Sequence, residues 1–182
     1  MAKLGRYASA RRTVEYLITD KTLTAGDSGT DFAVCSYPNL GQPASITFTL
    51  PPAADLPDGW NCTISQAGMS TIVLTSSVGG SFSTGNGCFV GNIRNTSSDT
   101  AAAGQISPST TAPGNTKITF SENPGLAGGG LGHQGDGVEI TLAKGIYSDL
   151  VAFDSTYSLR HVFVVRGTCS GSAGILFSGD AD

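Results

Sequence analysis

From Val14 onward, short runs of β-branched and aromatic residues alternate with clusters of Gly, Pro, Asn, Asp and Ser. Such runs are typical of the strands of a β-sandwich or barrel. In Ser45–Leu50 polar and apolar residues alternate strictly, which predicts one face on the core and a hydroxyl-lined face opposite. The predicted strands are 14–19, 32–36, 45–50, 61–67, 71–76, 88–92, 117–121, 138–142, 149–153, 159–167 and 174–177.

Between these runs the sequence predicts loops and no helix of normal length. Residues 51–59 contain three prolines and an Asp-Gly pair, which indicate a loop with at most one helical turn. Residues 100–115 and 124–137 have few large apolar side chains and are predicted to be long surface loops. Residues 161–165 are apolar on both faces, which predicts a central strand or one buried at a subunit contact.

Composition supports a single β-rich domain with a real core. The chain has 182 residues, of which 39% are hydrophobic, only 13% are charged and 25 are Gly. This composition argues against both a helical protein and a disordered one. The sequence shows neither a membrane-spanning apolar stretch nor a secretory signal, so we expect synthesis and use without export. The four cysteines lie in separate apolar segments and are expected to be buried free thiols.

Charge is distributed unevenly along the chain. Residues 1–21 contain five of the ten Lys and Arg residues, but of the acidic residues only Glu15 and Asp20, which gives a net charge of +3 against −7 for the remainder. Residues 1–13 are therefore predicted to form a short, extended basic arm that orders on a partner, and residues 14–182 the domain. Basic residues beyond the arm are scattered, which argues against a nucleic-acid surface.

Motifs that could carry chemistry lack their required context. Gly26-Asp27-Ser28-Gly29 resembles the nucleophile string of a serine protease, but no histidine precedes it, so we interpret it as a turn. Residues 130–135 fit the GxGxxG pattern, yet a strand pattern follows where a phosphate site needs a helix. His133, Asp136 and Glu139 could contribute to a cation site, but no further ligands can be named. We expect a chain without catalytic residues, metal or cofactor.

Residues 22–74 carry a series of short motifs that resembles a module of tailed-phage virion proteins. The motifs are Leu23-Thr24, Asp27-Ser28-Gly29, Thr49-Leu50-Pro51, Ala53-Ala54-Asp55-Leu56-Pro57, Gly59-Trp60 and Gln66-Ala67-Gly68. The module occurs in head decoration proteins and in fibres, where it resembles half of a β-sandwich and commonly assembles as trimers. The resemblance, together with the residue patterns, implies an all-β fold, namely a single antiparallel β-sandwich of jelly-roll type with an N-terminal arm.

The resemblance and the basic arm together imply a non-enzymatic capsid decoration or cement protein. Its partners would be the major capsid protein and copies of itself in a homotrimer, with no nucleic acid and no membrane. We expect it on the capsid exterior of the virion, after synthesis in the host cytoplasm. The residues expected to contact the shell are Lys3, Arg6, Tyr7, Arg11 and Arg12, and those expected at an oligomer interface are Leu159, His161, Phe163 and Val165.

The alternative function is a short head or tail fibre, or an adhesin domain, that recognises a host surface glycan through a loop such as 126–136. That loop contains no aromatic residue on which a sugar ring could stack. A depolymerase is a weaker alternative, because a pair of catalytic carboxylates cannot be placed from the sequence.

Overall fold

Strands dominate the computed structural model, which describes residues 12–77, 88–95, 104–106, 117–120, 138–150, 157–169 and 175–178. Within these ranges there are three short 3-10 turns, at Ala25–Asp27, Pro38–Leu40 and Ala53–Asp55, and no α-helix. The strands are Thr13–Leu17 (β1), Lys21–Thr22 (β2), Thr30–Val34 (β3), Ser45–Leu50 (β4), Asn61–Gln66 (β5), Thr71–Ser76 (β6), Phe89–Asn95 (β7), Gly104–Ile106 (β8), Lys117–Phe120 (β9), Val138–Leu150 (β10), Tyr157–Cys169 (β11) and Ile175–Ser178 (β12). The described part of the chain is therefore all-β.

The strands form two sheets, between which the chain alternates at first. Sheet 1 has the order β1-β3-β5-β10-β11-β7-β8, and sheet 2 has the order β12-β9-β6-β4-β2. The first six strands enter sheet 1 and sheet 2 in turn, so that each of the first four lies beside the strand two places later in the chain. This alternation makes β1, β3 and β5 parallel neighbours, as it does β2, β4 and β6.

The sheets are mixed, which corrects the predicted antiparallel arrangement. Besides the parallel pairs among the first six strands, β7 and β11 are parallel, whereas β10 is antiparallel to both β5 and β11. The alternation of polar and apolar residues has the same period in both kinds of strand. Strand direction depends instead on whether a connection stays in one sheet or crosses to the other, and the residue pattern does not specify this.

Several predicted strands are confirmed and one pair is corrected. The bounds of β4 and β6 agree with the prediction, and no end of the other confirmed strands differs by more than three residues. Strands predicted at 138–142 and 149–153 are instead one strand, Val138–Leu150, which pairs with β11 along its whole length. Residues 143–148, which the prediction left between two strands, all keep their partners on β11.

The short strands were missed for simple reasons. β2 has two residues, too few to show a period, and β8 lies within the segment predicted to be a long loop. The remainder of that segment, like the predicted loop 124–137, lies outside the described residues. The predicted loop 51–59 contains a single 3-10 turn, as expected.

One hydrophobic core contains residues of both sheets. On β4, Ile46, Phe48 and Leu50 are fully buried while the intervening threonines are only half-buried. The ring of Phe48 meets the ring of Phe32 on β3 at a centroid distance of 5.7 Å, edge to face. Contacts of this kind join the inner faces of the two sheets.

Lys144 ties β10 to the 3-10 turn before β5. Its ammonium donates to the Leu56 carbonyl at 2.6 Å and lies 3.0 Å from a carboxylate oxygen of Asp58. Its backbone N–H donates to the Trp60 carbonyl at 3.0 Å. The side chain is only 7% exposed, so these bonds compensate for removing its charge from water.

Candidate interaction surfaces

The predicted basic arm meets the domain at the edge of sheet 1. Lys3, Arg6, Tyr7 and Arg11 lie outside the described residues, whereas Arg12 directly precedes β1. The Arg12 side chain is 72% exposed, and its Nη1 lies 3.3 Å from a carboxylate oxygen of Asp31 on β3. Exposed ion pairs contribute only about 0–1 kcal/mol. Arg12 could therefore exchange Asp31 for an acidic group of a partner at little cost.

An exposed apolar stripe follows Arg12 along β1 and one residue beyond its end. Val14, Tyr16 and Ile18 are 54%, 74% and 47% exposed. Of the large apolar side chains that the structure describes, only Leu40 is also exposed. The sequence analysis missed this surface: residues 14, 16 and 18 show the spacing of one strand face, but spacing does not say which face meets the core.

The acid of the Gly-Asp-Ser-Gly string has a structural role in the turn before β3. Asp27 accepts hydrogen bonds from the N–H and hydroxyl of Thr24, at 2.7 and 2.8 Å. Its other oxygen lies 3.3 Å from the ammonium of Lys21. Gly29 has a left-handed φ of 79° and donates to the Asn61 carbonyl at 2.7 Å. These contacts confirm that the string forms a turn.

Lys21 is the centre of a charged cluster between β1 and this turn. Its ammonium donates to both carboxylate oxygens of Glu15 at 3.0 Å and lies 5.3 Å from the centroid of the Phe32 ring. The bond to Glu15, with a further contribution from Asp27, raises the pKa of Lys21 above its ordinary value of 10.5, although burial opposes the shift. The stabilisation from this cluster is thus fully present below about pH 10.5 and is lost as the pH rises through the higher folded-state pKa.

Cys62 lies on the core side of β5, and burial raises the pKa of its thiol from 9.0 to about 12, with smaller contributions from Asp27 and Asp31. Between these pH values an unfolded chain ionises the thiol while the folded chain keeps it protonated. We therefore expect the free energy of unfolding to fall above pH 9 by up to about 1.4 kcal/mol per pH unit from this group. Urea unfolding of wild type and Cys62→Ala at pH 7, 9 and 10.5 measures the effect. Equal pH dependence in both proteins would contradict it.

The outer face of sheet 2 is rich in threonine. Across β2, β4 and β6, Thr22, Thr49 and Thr75 form one register row, which continues to Lys117 on β9. The neighbouring row includes Thr47 and Thr119 on either side of Val73, and Ser45 is paired with Thr71. These side chains are exposed or half-buried, so their hydroxyls can bond to water or to a ligand. The predicted hydroxyl-lined face of Ser45–Leu50 is confirmed.

The residues expected at an oligomer interface on β11 require a correction. Phe163 and Val165 are fully buried in the chain's own core, where the Phe163 ring contacts Trp60 and Phe89. Their side chains are therefore unavailable for a subunit contact. His161 is half-buried, and its Nδ1 has no hydrogen-bond partner among the described atoms; the side chain of Leu159 is not described. The alternative interpretation, a central strand, is confirmed, since β11 lies between β10 and β7.

The described residues contain few candidates for chemistry. No group of three or more His, Cys, Asp or Glu side chains among them could hold a metal ion. Glu139 lies exposed on β10, while His133 and Asp136 fall outside the described ranges. Cys62 is a buried free thiol as predicted, Cys88 is buried and Cys35 is half-buried. Nor do the described residues include a helix that is long and apolar enough to cross a membrane.

We compared the chain with known protein families, curated proteins and solved structures. No protein-family model, no curated protein and no solved structure matches the chain.

Proposed function

We propose that the chain is a non-enzymatic capsid decoration protein, which attaches to the outside of a tailed-phage head and stabilises contacts between coat subunits. In this proposal the two sheets form one β-sandwich, and residues 1–12 form the arm that lies on the coat, because Thr13, which the sequence analysis assigned to the arm, is the first residue of β1. Lys3, Arg6, Tyr7, Arg11 and Arg12 contact the shell. The protein is made in the host cytoplasm, needs no cofactor and binds neither nucleic acid nor membrane.

One observation carries the proposal: the basic segment leads into an exposed strand edge. Half of the Lys and Arg residues lie within the first 21 positions, and Arg12 is 72% exposed at the start of β1. Its acidic partner Asp31, on β3, is half-buried, and an acidic group of a coat subunit could replace it in the ion pair. The resemblance of residues 22–74 to modules of phage virion proteins supports a phage head as the particle to which the arm binds. An arm that orders only on binding loses conformational entropy at that step, and many contacts with the partner are needed to offset this loss. The repeated subunits of a shell offer such contacts.

The test compares binding to heads that lack this protein, taken from the phage that carries it. Deletion of residues 1–11 leaves every described residue in place and is expected to abolish co-sedimentation with expanded heads. Lys3→Glu combined with Arg6→Glu and Arg11→Glu should weaken binding as strongly, because electrostatic attraction to the coat becomes repulsion.

The matched control removes charge from the body of the domain. Arg166→Gln, at an exposed position of β11, combined with Lys117→Gln on β9, should leave binding unchanged. Circular dichroism verifies that each variant folds. Binding of the truncated chain at full strength would refute the role of the arm, and binding only to tails would refute the capsid location.

One observation favours the alternative, a short fibre or adhesin domain that binds glycans. The threonine-rich outer face of sheet 2 presents rows of hydroxyls, which can bond to sugar hydroxyls. Saturable binding of the chain to a glycan array, lost in Thr47→Val combined with Thr49→Val, would support this function over the first.

A further inference from the structure

The exposed stripe on β1 lies along an open sheet edge. β1 is the first strand of sheet 1 and pairs only with β3 among the described strands. Edge strands with exposed apolar residues favour pairing with another chain, and soluble monomers usually protect them with charges, prolines or bulges. Val14, Tyr16 and Ile18 place three large apolar side chains at this edge instead.

Backbone groups at the edge are oriented for pairing. The carbonyl of Leu17 accepts a hydrogen bond from the N–H of Cys35 at 2.8 Å, so the backbone groups of Leu17 face β3. Because these groups point to alternate sides along a strand, those of Val14 and Tyr16 point away from β3, toward the open edge. The residues with exposed side chains thus also carry the outward backbone donors and acceptors.

The edge is self-complementary in sequence. If two copies of β1 pair in antiparallel fashion around Tyr16, the two Tyr16 residues lie opposite each other. Val14 of each copy then lies opposite Ile18 of the other, the residue that directly follows β1. The register does not extend to Asp20, whose carboxylate accepts a hydrogen bond from the Thr47 N–H of sheet 2 at 2.8 Å. Apolar residues of one copy therefore meet apolar residues of the other along the paired edge.

We propose that the open edge of β1 binds a second copy of this chain, forming a two-fold dimer in which sheet 1 continues from one copy into the other. This inference is independent of the proposed capsid function. It places the self-association interface on β1 instead of β11, because Phe163 and Val165 of β11 are buried in the core. It also predicts a dimer where the phage resemblance implies a trimer.

Sedimentation velocity of the full chain, over about a hundredfold range of concentration, tests the proposal. We expect wild type to sediment as a dimer and Tyr16→Arg as a monomer, with a dissociation constant raised by at least about tenfold, because two added charges face each other at the axis. The matched control is Leu40→Arg, which changes an equally exposed apolar residue of the Pro38–Leu40 turn and should leave the dimer intact.

Cysteine cross-linking tests the register itself. Opposed residues of antiparallel strands are about 4.5–5.5 Å apart at Cα, within the span of a disulfide. Under oxidised glutathione, Tyr16→Cys should form a covalent dimer, while Val14→Cys should do so only when mixed with Ile18→Cys. Leu40→Cys should remain uncross-linked.

Three results would overturn the proposal. The first is a wild-type chain that stays monomeric over the whole concentration range. If such a monomer dimerises after removal of residues 1–11, the chain's own N-terminal segment covers the stripe, and the proposal is equally overturned. The second is a trimer. The third is a dimer that Tyr16→Arg does not weaken. Circular dichroism shows whether Tyr16→Arg folds, and the cross-linking result stands without that variant.

Discussion

Replacing Trp60 with alanine is expected to lower the free energy of unfolding by about 3–5 kcal/mol, the usual cost of truncating a buried aromatic residue. Trp60 is 1% exposed, and its ring meets the ring of Phe163 edge to face at a centroid distance of 6.4 Å. Its indole Nε1 donates to the Thr24 carbonyl at 3.0 Å. The substitution would therefore leave a cavity between β5 and β11 and a carbonyl without its donor.

A conservative variant separates the two contributions. Trp60→Phe keeps most of the ring but removes the hydrogen bond to Thr24, and should cost about 1–2 kcal/mol. Because Trp60 is the only tryptophan, unfolding in urea must be followed by circular dichroism rather than by tryptophan fluorescence. A loss below 1 kcal/mol in Trp60→Ala would show that this residue does not connect the turn region to the C-terminal strands.

The position of Trp60 explains how residues 22–74 join the remainder of the fold. Its side chain bonds to Thr24, near the start of the segment, and contacts Phe163 on β11. Its carbonyl accepts from the backbone of Lys144 on β10. The segment that resembles a phage module therefore shares its core with strands that the resemblance does not cover. This arrangement accounts for a single core instead of two small ones.

The sequence predicts well those features that depend on neighbouring residues. Strict alternation in β4 and the short run of β-branched and apolar residues in β6 define both strands to the residue, and every second side chain of each is buried. The Gly-Asp-Ser-Gly turn is confirmed for a similar reason, because a turn depends on local backbone preference. Pairing partners depend on distant parts of the chain, which explains why the parallel pairs were missed.

The surfaces are harder to predict than the core. An apolar residue at every second position indicates a strand face, but Val14 and Tyr16 form the exposed face of β1, while Phe163 and Val165 form the buried face of β11. The difference arises because β1 lies at the edge of its sheet and β11 near the centre. Strand order, which the pattern does not contain, decides which apolar face is available to a partner.

The two proposed interactions use adjacent parts of the chain and can be tested separately. Attachment to the shell depends on residues before β1, whereas self-association depends on the edge of β1 itself. A dimer about a two-fold axis would present two basic segments, and simultaneous binding of both would raise the apparent affinity for a repetitive shell. Tyr16→Arg should then weaken shell binding indirectly, while deletion of residues 1–11 should leave the dimer intact.

Glycine at position 91 is expected to be essential for the pairing of β7 with β11, and Gly91→Ala should cost at least about 3 kcal/mol of stability. Gly91 has a φ of 141°, which side chains rarely adopt, and lies opposite Val165 in the parallel ladder. A Cβ atom there would overlap the Val165 carbonyl oxygen and come within 2.9 Å of its carbonyl carbon. These are rigid backbone atoms of a central strand, so the two strands would have to separate.

Gly29→Ala is the matched control. Gly29 also has a positive φ, of 79°, but there is open space around it, so this substitution should lower the stability by only about 1 kcal/mol. Urea unfolding of both variants compares the two costs, and equal losses would show that backbone conformation, not the close approach of β11, requires glycine at position 91.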